Sequence, residues 1–123
     1  MQGKYTVKGM GFHAFHGSLE VERELGTVYH VDVTMSMELS PDDDAQKAQG
    51  KIHGADVYEI VKGQMMGTKF HSTMGLALHM SRELLRKFTF ATEAAVRITS
   101  KQLFIPGNVE SVIAEANATR ADL

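Results

Sequence analysis

The clearest pattern in the chain is Val31-Asp32-Val33-Thr34-Met35-Ser36-Met37-Glu38-Leu39, an alternation of apolar and polar residues. Only a strand with one dry and one wet face accounts for it. Tyr5-Thr6-Val7-Lys8 alternates too, so the segment FHAFHG at 12–17 and the glutamates after it fall between two strands of an antiparallel pair. Residues 40–50, SPDDDAQKAQG, read as a solvated loop because Pro41, the aspartates and Gly50 all favour turns. From Ala55 to Met66 the residues Val57, Ile60, Val61 and Met65 recur at helical spacing, and Asp56 sits near the start, where the helix dipole favours an anion. A second helix is expected from Ser72 to Lys87. There Leu76, Met80, Leu84 and Phe88 fall every fourth position, Leu85 widens the stripe, and Ser72 suits an N-cap. The tail returns to strand chemistry at Ala94–Thr99. A turn at Phe104–Asn108 follows, then a strand in which Val112, Ala114, Ala116 and Ala118 alternate with polar neighbours.

The order β-β-α-α-β-β predicts an α+β layer, four mostly antiparallel strands with two helices on one face. The far face of the long strand would show Asp32, Thr34, Ser36 and Glu38. That set is too polar for a dry core and suits a water-filled interior shared by several subunits. A length of 123 residues fits one domain, with no internal repeat or linker in view. Lys and Arg total 13 against 15 Asp and Glu, and no basic block occurs, so a nucleic-acid partner is not expected. The absence of cysteine excludes disulfides and thiol nucleophiles. No signal peptide is visible at the amino terminus and no run approaches the ~20 apolar residues of a membrane span, so a cytoplasmic location is the expectation.

The candidate chemistry is sparse. His13 and His16 would share a helical face, but between strands they point to opposite sides. His30, His53, His71 and His79 are scattered and no His-x-His occurs, so no metal site is expected. His16-Gly17 reads as a turn in which the glycine permits a positive φ. Glu20, Glu22 and Glu24 alternate with Val21, Arg23 and Leu25, so an extended segment would present three carboxylates on one side. They form either a solvated edge or the lip of a cleft that orients a small polar substrate, and periodicity does not choose. Lys101 follows Ser100 at the expected end of the third strand, a place where loops carry function. Exposed, it is an ordinary lysine; half-buried, desolvation would draw its pKa toward neutrality and fit it for acid–base work. The eight methionines need no cofactor to explain them. No P-loop, dinucleotide fingerprint, nucleophile elbow or zinc-protease motif is present.

The run KGMGFHAFHGSLEVERELGTVYHVDVTM resembles the amino-terminal signature of the dihydroneopterin aldolases: an apolar strand, aromatic-x-x-His-Gly, an acidic segment, a Gly, and a long strand containing Val-Asp-Val. The likeness continues through Ile52–Met65, the second helix, and Val96-Arg97-Ile98-Thr99 followed by Ile105-Pro106-Gly107. The resemblance implies the tunnelling fold, with subunits closing into a barrel as a tetramer or octamer and pterin pockets between neighbours. It implies cleavage of dihydroneopterin to a hydroxymethyl dihydropterin and glycolaldehyde, with no metal and no organic cofactor. A lysine and a tyrosine manage protons in that family, and two glutamates hold the substrate. Glu22 matches the glutamate of the early acidic segment. Gly54 stands in place of the tyrosine, Met74 in place of the ring-gripping glutamate, and Ser100 in place of the lysine. The site expected from the resemblance is therefore Glu22 for the substrate, Lys101 as acid or base, and His53 as a proton handler replacing the tyrosine. The alternatives are a non-catalytic relative that binds a pterin-like molecule or serves in assembly, and a member with altered chemistry such as an epimerase. The zinc-dependent pyruvoyl-tetrahydropterin synthases share the architecture but need a His-x-His cluster, which this chain lacks.

Overall fold

The alternating stretch forms β2, Thr27–Glu38, and its two faces differ as their chemistry requires. Tyr29, Val31, Val33 and Met35 are at most 1% exposed, while Asp32 and Thr34 on the other side are half-buried. Ser36 departs from the expected wet face: it is buried, and its carbonyl accepts from the Thr92 hydroxyl at 3.2 Å. The structure is a computed structural model describing residues 1–46, 51–101 and 104–123. Beside β2 lie β1 (Gln2–Ala14), β3 (Ala91–Ser100) and β4 (Val112–Thr119). Neighbours pair antiparallel throughout, in the order β1-β2-β3-β4. The expected loop at 40–50 is described only as far as Gln46, and residues 47–50 lie outside the described residues.

β1 is longer than the alternation at residues 5–8 suggests, because a bulge resets it. Val7 pairs with Val33 and Met10 with Val31, so three steps on β1 match two on β2. Gly9 takes φ +75 there, a conformation open to glycine, and its N–H donates to the Asp32 carboxylate at 2.7 Å. Beyond the bulge Met10, Phe12 and Ala14 turn inward and are buried.

α2 (Gly54–Met66) and α3 (Thr73–Lys87) cover one face of the sheet. α2 presents Val57, Val61 and Met65 to the core and lies over β1, where Tyr58 stacks on Phe12 at 5.6 Å. α3 buries Leu76, Met80, Leu84 and Leu85 against β3 and β4. The Ser72 hydroxyl accepts the Gly75 N–H at 3.0 Å, the N-cap its sequence position suggests. At the other end Arg120 donates to the carbonyls of Leu85, Phe88 and Ala91 at 2.7, 2.7 and 2.9 Å, tying the end of α3 and the start of β3 to the end of β4. No helix among the described residues is long and apolar enough to cross a membrane.

Candidate active site

The segment after β1 breaks the sheet at Ala14 and turns on Gly17, whose φ of +133 carries the positive sign expected of it. His13 and His16 diverge, also as expected: His13 is exposed beside Phe15, while His16 is 1% exposed. The Phe70 N–H donates to His16 Nδ1 at 3.0 Å, which fixes the ring proton on Nε2, and Nε2 donates to the Met65 carbonyl at 2.8 Å. The His16 carbonyl accepts the Tyr29 hydroxyl at 2.7 Å. Burial lowers the His16 pKa from the ordinary imidazole value, outweighing the Met65 carbonyl, which favours the charged form. Burial pushes the Tyr29 phenol up, and the nearby Glu22 carboxylate adds to the shift.

The glutamates do not lie in an extended segment. Residues Glu20–Leu25 form a short helix, α1, so Glu20 and Glu24 share an exposed face and Glu22 points to the other side instead of lining up with them. The cause is local. The Glu22 carboxylate reaches back to accept the Leu19 N–H at 3.0 Å, closing the first turn, and Gly26 at φ +71 ends the helix. Arg23 donates to the Gly17 carbonyl at 2.8 Å. The positive φ is the main demand for glycine at position 17, and a Cβ there would also sit 2.7 Å from the Glu22 carboxylate and oblige that group to shift.

Glu22 thus stands in the wall of a cavity of about 510 Å³, between Gly17–Leu19, the start of α3 (Ser72–Met74), Phe104–Ile105 and the first residues of β4 (Val112–Ala114). It is the one carboxylate among the described residues of that wall. The mouth is apolar, with Leu19, Met74, Phe104, Ile105 and Ile113 between 39% and 52% exposed. The volume suits a fused bicyclic molecule with a short side chain. Among the described residues no group of three or more His, Asp or Glu side chains is placed to hold a metal ion.

The other residues expected from the sequence are placed differently. Ser100 ends β3, is buried, and pairs with Tyr29 on one side and with Val112 of the cavity wall on the other. No bulge precedes it on the β4 side, so Lys101 is not returned to the Ser100 position; it lies exposed one step past the strand. Neither Lys101 nor His53 is among the described wall residues. His53 is exposed at the N-cap of α2, and the neighbouring Gly54 lies against Tyr5 near the beginning of β1, nearly a full strand length from the turn at Gly17. Within one protomer the structure brings together Glu22 and Met74 but not His53.

Comparison with known proteins gives one family by sequence, while the fold is shared more widely, as with the urate oxidase of Bacillus subtilis at a TM-score of 0.66 and 9% identity over 98% of this chain and 47% of that one. The dihydroneopterin aldolase (FolB) family model matches residues 5–117. A dihydroneopterin aldolase of Staphylococcus epidermidis is 27% identical over 106 residues, covering 86% of this chain and 88% of the relative. The Escherichia coli dihydroneopterin aldolase, solved in complex with neopterin, superposes with a TM-score of 0.69 at 18% identity over 93% of this chain and 98% of that one. A dihydroneopterin aldolase of Burkholderia thailendensis, solved bound to guanine, gives 0.70 at 11% identity over 97% and 92%.

Proposed function

The chain belongs to the dihydroneopterin aldolase family, and from that premise we propose that it cleaves dihydroneopterin to a hydroxymethyl dihydropterin and glycolaldehyde in the cavity that Glu22 lines. The observation that carries this reading is the placement of Glu22: a carboxylate fixed by its own backbone in the wall of a 510 Å³ cavity. The relatives from Escherichia coli and Burkholderia hold neopterin and guanine, which share a fused 2-amino-4-oxopyrimidine ring. Such a ring presents N–H donors along one edge, and a carboxylate accepts them with charge-assisted strength. Met74 supplies no acceptor, so Glu22 and nearby backbone carbonyls take the substrate's donors.

The chemistry asks little beyond proton transfer. A base removes the proton of the side-chain hydroxyl whose carbon becomes the aldehyde. The adjoining carbon–carbon bond breaks, its electron pair passes into the dihydropterin ring system, and a proton returns to the carbon left on the ring. Lys101 is the proposed acid and base, one residue beyond the partner of Val112 in the wall. His53 is proposed as the second proton handler, and its distance from Gly17 within one protomer means a neighbouring subunit supplies it. An assembly of four or eight subunits, with the polar face of the sheet lining a shared interior, meets that need. The small-molecule substrate, the absence of an organic cofactor and the homo-oligomer belong to one reading.

The test is glycolaldehyde release from dihydroneopterin by the pure protein, with neopterin affinity measured by calorimetry. Turnover supports the proposal. Neopterin binding without glycolaldehyde would make the chain a ligand-binding relative, and neither signal would leave an assembly role.

A further inference from the structure

The two walls of the cavity are held together by a buried clamp that the proposed chemistry does not use. On one side, His16 and Gly17 lead directly into the Glu22 wall. On the other, Phe70 leads into Ser72–Met74 at the start of α3. Phe70 makes two hydrogen bonds across this gap: its N–H donates to His16 Nδ1 at 3.0 Å, and its carbonyl accepts the Gly17 N–H at 2.9 Å. The same ring fastens the end of α2 through Met65, and Tyr29 holds its backbone from β2. We propose that His16 is a positioning residue for the cavity: through Phe70, its neutral ring sets the spacing between the Glu22 wall and the start of α3, so ligand binding follows the protonation of that ring. The inference rests on the cavity being the binding site proposed above.

The chemistry of the ring carries the link to pH. Neutral imidazole with its proton on Nε2 satisfies both partners at once. A proton added at Nδ1 would set an N–H against the Phe70 N–H, and that half of the clamp is lost. Burial keeps the ring neutral until the medium is more acidic than free imidazole would need. The titratable groups around it are Tyr29 on β2, Glu22 and Arg23 on α1, Lys69 on the α2–α3 connection, and His79 on α3 beyond the Phe70 ring. Lys69 lies over the Phe15 ring at 5.3 Å, and His13 packs on the same ring.

The experiment is an acid titration of the isotope-labelled, ligand-free protein by NMR, following the His16 ring nitrogens and the amides of Glu22, Ser72, Thr73 and Met74. Neopterin affinity is measured in parallel by calorimetry for the wild type, His16→Ala and His16→Asn. The asparagine oxygen can accept the Phe70 N–H but does not titrate. The cavity amides are expected to shift with the midpoint of the ring, while Val33 and Val96 at the sheet centre stay still. Affinity should fall about tenfold through that midpoint, the factor matching one buried hydrogen bond. His16→Asn should bind more tightly than His16→Ala and lack the acid step. Cavity amides that stay put as the ring titrates would overturn the inference, as would sheet-centre amides that move with them or an acid step unchanged in His16→Asn. Neopterin that binds at no pH would sink the proposed function alone, because the ligand-free titration still decides the clamp. The same titration decides it if the variants fail to fold.

Discussion

The carboxylate in the cavity wall and the lysine proposed to work beside it are built in different ways. Glu22 is held by its own helix turn, backed by Gly17, Arg23 and the buried His16, so its position is fixed before any ligand arrives. Lys101 lies past the last paired residue of β3, exposed. A preorganised carboxylate loses little ordering entropy on binding, whereas a long lysine side chain loses rotamer freedom each time it engages. The contrast sets a carboxylate held in place by its own backbone against an exposed side chain that must be ordered whenever it engages.

Substitutions test that division. Lys101→Ala should have the largest effect, lowering turnover of dihydroneopterin about 10²- to 10⁴-fold, the usual worth of a general acid or base. Because the side chain is exposed, the melting temperature should not move, and unchanged turnover would strip Lys101 of its role. Glu22→Gln comes next. The amide oxygen can still accept the Leu19 N–H, so stability should hold while neopterin binding weakens by about 1.5–3 kcal/mol in calorimetry. Equal affinity in the two proteins would place the substrate elsewhere.

Gly17→Ala adds a Cβ at φ +133 against the Glu22 carboxylate. It should cost about 1–3 kcal/mol, read as a lower urea midpoint, with affinity falling alongside. Tyr29→Phe has the smallest effect. It removes only the hydroxyl that holds the His16 carbonyl, for about 1 kcal/mol in the same denaturation assay. The acid limb of stability has a definite sign. Burial lowers the folded-state pKa of His16, so the unfolded chain binds the proton first. The stabilisation is complete above pH ~6.5, shrinks as the pH drops below it, and is gone once the pH has passed through the folded-state value. A urea midpoint that rises on acidification would contradict the burial of a neutral ring.

Much of the architecture is legible in the residues. The β2 alternation, the α2 and α3 stripes and the Ser72 cap each follow from one dominant period. The short acidic segment was not legible, because six residues of Glu-Val-Glu-Arg-Glu-Leu fit a period of two as well as a helical turn. What decides between them is the hydrogen bond from Glu22 back to Leu19, which appears only in three dimensions. The burial of His16 had a faint signal: it continues the parity of Phe12 and Ala14, both inward-facing, past the end of the strand. Its partner Phe70 lies 54 positions away, and no local pattern announces such a pair. The family pattern singled out Glu22 and Met74, which do share the cavity. His53, offered as a replacement for the family's tyrosine beside Gly54, lies at the N-cap of α2 and outside the described wall, a separation that only the three-dimensional fold reveals.

The extra residue at Lys8–Gly9 divides β1 into two halves with opposite rules for which positions face inward. Upstream, odd numbers point to the helices; downstream, even ones do. Removing either residue would merge the halves into a single frame and oblige the chain to choose between seating Tyr5 and Val7 or seating Met10 and Phe12. Insertions and deletions near this point are therefore far more dangerous than exchanges of one side chain for another, although the spot is solvent-facing and rich in glycine.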